Sequence, residues 1–109
     1  MRLQTRSDLR RMKDRLDRKF FGGALKDYDV SFANLNTDEL SGCCDPDFKV
    51  IQIDGGLRPF WKLTEIVMLH EMSHALLGPD YIGSRDGHGM RFDARIVKLF
   101  EIGAYDGLL

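Results

Sequence analysis

With 109 residues, 43% hydrophobic and 30% charged, this chain has material for one domain with a single modest core, and too little for two. Its net charge of −1 is that of an ordinary soluble globular protein, and no stretch approaches the ~20 apolar residues that span a bilayer. The opening MRLQTRSDLRR has the charge of a signal peptide's start but no apolar run after it, so a cytoplasmic protein is expected.

In chain order, Leu9, Met12, Leu16 and Phe20 recur at helical spacing, predicting an amphipathic helix from about Ser7, its plausible cap, to Phe20, stopped by Gly22-Gly23. Tyr28, Val30 and Phe32 alternate with polar residues at the period of a half-buried strand. Residues 34–47 read as loop and turn, with a short strand around Cys43. A second strand is predicted from Phe48 to Ile53, closed by Asp54-Gly55-Gly56, and Leu57–Trp61 forms a short turn or helical start. The central helix runs from Leu63 or Thr64 to Leu77 and ends at Gly78-Pro79. After Gly89 a last helix carries Phe92, Ile96, Leu99 and Phe100 at core spacing, with Gly103 as its stop. The pattern is α+β.

Charge is unevenly placed. Residues 1–20 hold eight Lys/Arg against three Asp, a net +5, and the remainder is −6. Such a segment suits a nucleic-acid contact. It equally suits a solvated helix face with its own pairs at four-residue spacing, Arg10–Asp14, Asp14–Arg18 and Lys13–Asp17. The only cysteines, Cys43 and Cys44, are adjacent, a poor arrangement for a disulfide and not the spacing of a zinc ribbon. Packing cysteines are expected, with a reactive thiol pair as the alternative.

The central helix holds the chemistry. It is apolar nearly all round, which marks a buried helix, yet past Glu65 it carries His70, Glu71 and His74. Three such groups in apolar surroundings need partners, because an unpaired buried charge costs several kcal/mol. A divalent metal with a water satisfies all three. Four residues of helix return a side chain to within ~40° and ~6 Å of its start, so His70 and His74 can face one zinc ion, while Glu71 lies about 100° round, placed as a base. A catalytic zinc usually has three protein ligands. Candidates for the third are His88, Asp80, Asp86 and Glu101; chemistry favours His88, the remaining histidine, between Gly87 and Gly89.

HEMSHALL, a ten-residue spacer and then HGMRF together resemble the signature of the SprT-like (Spartan-type) zinc metalloproteases. Phe20-Phe21-Gly22-Gly23-Ala24-Leu25 is similar to the end of that family's first helix, Ser41-Gly42-Cys43-Cys44 to its AGxC segment, and Val50-Ile51-Gln52-Ile53 with Leu57 to its edge strand. The resemblance spans nearly all of residues 1–109 as a single minimal protease domain without the zinc ribbon of many relatives. It implies a zincin-like fold: an N-terminal helix, a small mostly antiparallel sheet, a buried HExxH helix and a C-terminal helix. It implies Zn2+ on His70, His74 and His88, Glu71 as the catalytic base, and Phe92 as an anchor seating the His88 loop. It further implies peptide hydrolysis, with DNA-associated or DNA-crosslinked proteins as substrates.

In this reading zinc lowers the pKa of a water towards ~7, and Glu71 takes its proton and passes it to the leaving amine. Tyr81, Arg85 and Tyr105 are candidates for a second oxyanion stabiliser. Two alternatives stand beside it: a zinc-bearing domain that binds single-stranded DNA through the basic first helix with little turnover, and a zincin whose third ligand is Asp80 or Glu101. No membrane partner is expected, and composition is silent on oligomeric state.

Overall fold

A computed structural model of the chain describes residues 2–35, 40–77 and 90–109. In order these form α1 (Arg6–Phe20), β1 (Asp29–Ala33), β2 (Gly42–Asp45), β3 (Val50–Asp54), a 3-10 turn (Gly55–Leu57), α2 (Trp61–Leu77) and α3 (Met90–Glu101). The class is α+β, as expected.

Helix α1 starts at Arg6 rather than Ser7, and its cap is Thr5. The Thr5 hydroxyl accepts the Asp8 N–H at 3.2 Å, and the Asp8 carboxylate accepts the Thr5 N–H at 2.7 Å. This reciprocal pair satisfies two donors that a helix start leaves orphaned, which Ser7, inside the first turn, cannot do. At the other end Gly22 and Gly23 adopt φ of 63° and 79°, a left-handed turn that side-chain-bearing residues resist.

The three strands are ordered β1-β3-β2, with β1 parallel to β3 and β2 antiparallel to it. The sheet is therefore mixed, not mostly antiparallel. A short turn joins β2 to β3 and forces them antiparallel, with the Asp45 side chain accepting the Asp47 and Phe48 N–H groups at 3.0 and 3.2 Å. Phe48, predicted to open the second strand, instead lies exposed in this turn. β3 carries the fully buried Ile51 and Ile53 and takes the central place, where both edges are hydrogen-bonded. It is thus not the edge strand that the family resemblance implied: among the described residues the edges are β1 and β2.

The core lies between this sheet and the helices. Leu9 and Leu16 of α1, Val30 of β1, Met68, Leu69 and Met72 of α2 and Leu99 of α3 are all fully buried in it. α2 buries residues on several sides, as its apolar sequence requires. On α3, Phe92 and Leu99 are buried, whereas Phe100, expected in the core, is 57% exposed and meets the Tyr105 ring at a tilt of 32°. Gly103, at φ 85°, ends the helix region as expected. No helix among the described residues is long and apolar enough to cross a membrane.

The charges of α1 make tertiary ties instead of the three expected four-residue pairs, none of which forms among the described residues. Arg6 and Arg10 both reach Asp29 at the start of β1, and Arg15 reaches the buried Glu65 of α2. Lys13 is 3% exposed: its ammonium donates to the Leu25 carbonyl at 3.2 Å and pairs with Asp14 at 3.0 Å. Asp17, 2% exposed, accepts the Leu25 N–H at 3.1 Å. The turn after α1 carries backbone groups that water cannot reach, and Lys13 and Asp17 satisfy them. Asp17→Ala should accordingly lower stability by about 1–3 kcal/mol, against roughly 0–1 kcal/mol for Asp27→Ala, whose 3.9 Å pair with Lys49 is exposed on both sides. Chemical denaturation compares them, and equal losses would contradict the buried role of Asp17.

Candidate metal centre

His70 and His74 sit one turn apart on α2, both half-buried, their ring centres 5.0 Å apart and edge to face at 73°. With a zinc–nitrogen distance of ~2.0–2.1 Å and tetrahedral angles, two imidazoles on one ion have centres roughly 5 Å apart. The pair fits such an ion. Phe92, on the first turn of α3, lies against both rings, 4.9 Å from His70 and stacked 4.4 Å from His74, and is itself 4% exposed. The sequence reading placed Phe92 under the His88 loop; its contact with the imidazoles themselves is what the structure adds.

Glu71 points to another side, towards β2. It is 6% exposed, so burial on this helix bears on the carboxylate more than on the imidazoles. The approach of the two elements is set by Gly42. A Cβ there would stand 2.7 Å from Val67 Cγ1, 3.1 Å from Glu71 Cγ and 3.2 Å from the Gln52 carbonyl, so a side chain at this position would push α2 off the strand. A cleft of about 300 Å³ opens between them, lined by Leu40, Ser41, Gly42, Ile66, Val67, His70 and Glu71. The Ser41-Gly42 segment was visible in the sequence, but nothing there showed that its glycine touches the glutamate. A glycine in a short strand, a sign of close backbone approach, was the available signal.

Burial pushes the Glu71 carboxyl up to about 7. A divalent cation beside it would act in the opposite direction, favouring the charged form. Burial, and after it the charge of Glu71, also raises both cysteine thiols, that of Cys44 to about 12. At neutral pH these are thiols and not thiolates, so they are poor nucleophiles. Cys43 spends its sulfur on Gln52 Oε1 at 3.5 Å, and Cys44 packs on the core. Cys44 is thus a packing residue, and both cysteines lie on the short strand expected around Cys43.

Among the described residues no three His, Cys, Asp or Glu side chains come together as a metal site. His88, Asp80 and Asp86 lie outside the described residues, as do Tyr81 and Arg85. Glu101 is exposed at the far end of α3, roughly 13 Å along the axis from Phe92. Tyr105 makes its ring contact with Phe100, and burial raises its hydroxyl's pKa. The donors brought together are therefore His70 and His74, with Glu71 alongside.

Compared with known proteins, the chain matches no family model and no curated protein.

The raised value of Glu71 sets a pH dependence. Folded, the carboxyl keeps its proton up to about 7; unfolded, it loses it near the ordinary 4.5. Between those values the folded state binds more protons, so this contribution to stability is lost as pH rises through the window. With a chelator present, the wild type should lose on the order of 1–3 kcal/mol relative to Glu71→Gln between pH 4.5 and 8. Denaturant titrations across that range test it; parallel profiles for the two proteins would contradict it.

Proposed function

We propose that this chain is a zinc-dependent metallopeptidase of the SprT-like type, with a zincin-like fold. His70, His74 and His88 hold the metal, and Glu71 is the general base. The observation that carries the reading is the buried Glu71 next to two imidazoles one turn apart, at one wall of an open cleft. A carboxylate this far from water on an apolar helix is costly unless a cation stands by it. Phe92, which touches both rings, lies four residues after His88 in sequence and so supports His88 as the third donor.

Zinc, when bound, supplies Lewis acidity to a water and to the scissile carbonyl. The Glu71 carboxylate accepts a proton from the attacking water and returns it to the departing amine, while the water's oxygen bonds to the carbonyl carbon and the C–N bond breaks. The cleft gives the substrate a place. Beyond β2 no strand pairs among the described residues, and its Gly42 stands against Glu71. An extended peptide pairing with that edge by main-chain hydrogen bonds would pass its carbonyls beside the carboxylate. The family resemblance points to proteins associated with or crosslinked to DNA, and the composition to a cytoplasmic setting.

One observation favours a second reading, a zinc-bearing nucleic-acid-binding domain with little turnover. A groove of about 820 Å³ between α1 and the start of α2 is lined by Arg2, Arg11, Arg15 and Arg18 together with the carboxylates of Asp8 and Asp14, with Trp61 half-exposed at its side. Arg2 and Arg11 share Asp8, and Arg15 pairs with Glu65, but Arg18 has no ion pair among the described residues. Guanidinium groups along a backbone track with an aromatic platform are the parts that hold a single strand.

Glu71→Gln should keep stoichiometric zinc and lose roughly 10²–10⁴-fold in peptide hydrolysis. Retained cleavage by the metal-loaded variant would sink the base assignment. His88→Ala should lose stoichiometric zinc where Asp80→Ala keeps it; the reverse would hand the third position to the carboxylate. The experiment that separates the readings is cleavage of DNA-bound and free protein substrates, with and without single-stranded DNA and chelator. Chelator-sensitive cleavage supports the peptidase. DNA binding without cleavage, weakened by Arg11→Glu/Arg15→Glu and unchanged by Glu71→Gln, supports the alternative.

A further inference from the structure

Helix α3 is held at two points on one face, three residues apart and therefore on neighbouring positions of the same side. At the first, Phe92 covers His70 and His74. At the second, Arg95 reaches back to the end of α1. Its guanidinium donates to the Phe20 carbonyl at 2.5 Å and lies 4.7 Å over the Phe21 ring, itself 5% exposed. The Phe20 carbonyl is one of the acceptors that a helix C-terminus leaves unsatisfied, at the negative end of its dipole, and a cation there is favourable. An arginine over an aromatic face adds cation–π attraction.

Stability alone accounts poorly for an arginine in this place. Arg95 is half-buried, burial lowers its pKa, and its Nε finds no acceptor among the described residues. A buried donor without a partner is costly, so an apolar side chain of similar size would serve packing better. What the guanidinium supplies is direction: a fixed fork between a carbonyl and a ring leaves α3 little freedom to slide or rotate.

We propose that Arg95 is a positioning residue for the metal centre, clamping α3 to the end of α1 so that Phe92 stays seated on His70 and His74. The inference rests on the reading of those histidines as metal donors. It makes the Phe20-Phe21 segment part of the site's support.

The test uses the full chain, titrated with zinc against a competing chelator, alongside NMR shifts of the His70 and His74 ring protons in the metal-free protein. Arg95→Ala should weaken zinc binding by roughly 10–100-fold, as loss of outer-shell support does, and should move both imidazole signals as Phe92 shifts over them. Arg95→Lys, which keeps the charge but loses the fork, should recover only part of the affinity. Thr5→Ala, which weakens α1 at its other end, should lower stability while leaving zinc affinity and imidazole shifts unchanged. Phe21→Leu keeps an apolar side chain under the guanidinium and should give a smaller change in the same direction as Arg95→Ala, which covers the case in which that variant does not fold. Unchanged zinc affinity and imidazole shifts in Arg95→Ala, or in Phe21→Leu if Arg95→Ala is unfolded, would overturn this inference alone. Failure of the wild type to bind zinc would overturn the metal reading and this inference with it.

Discussion

The contact of α2 with β2 at Gly42 is the constraint on which the rest of the site depends. Because Gly42 has no side chain, the helix can lie close enough to put Glu71 against the strand and nearly out of water. Ionising a carboxyl there costs several kcal/mol, well beyond the few tenths to one kcal/mol of a surface ion pair. That cost is what raises the carboxyl's pKa to about 7. A cation on the neighbouring imidazoles would offset it. Burial, and after it the charge of Glu71, raises both cysteine thiols on the strand beside it.

Around this contact the remaining elements act as braces. Arg15 ties α1 to the buried Glu65 of α2, and Lys13 with Asp17 closes the turn that leads from α1 towards β1. Gln4 donates to the Thr64 hydroxyl at 2.9 Å and so fastens the chain's start to the first turns of α2. The helix carrying the histidines is therefore gripped near its beginning by residues 4 and 15 and covered at its histidines by α3. Net charge is low, yet the first helix uses its cations chiefly within the fold. Arg18 and the outer side of the groove remain for other contacts.

Much of this was legible in the sequence, and the gaps have physical causes. Local signals carried well: the double glycine after α1, the apolar α2 with its three titratable groups, the short strand at Cys43 and the start of α3 after Gly89 all lie where spacing put them. The cap moved from Ser7 to Thr5 because Asp8 can reciprocate with a residue three positions earlier. Lys13 and Asp17 read as surface charges because periodicity does not reveal that a following turn will fold back over them. The parallel pairing of β1 with β3 is non-local and leaves no trace in alternation. Phe100 matched the helical period of the core, but α3 buries only the stripe around Phe92 and Leu99. Of the site, His70, Glu71 and His74 were readable as chemistry, while the neighbours that shape them, Gly42 and Phe92, come together only in three dimensions. His88 was proposed from sequence and lies outside the described residues.

The site is proposed as a histidine-built zinc centre with Cys43 and Cys44 as bystanders. X-ray absorption at the zinc edge of the metal-loaded protein tests it most directly. One zinc per chain is expected, with imidazole nitrogen and oxygen neighbours at ~2.0–2.1 Å and no sulfur. A sulfur shell at ~2.3 Å, or no stoichiometric zinc at all, would contradict it.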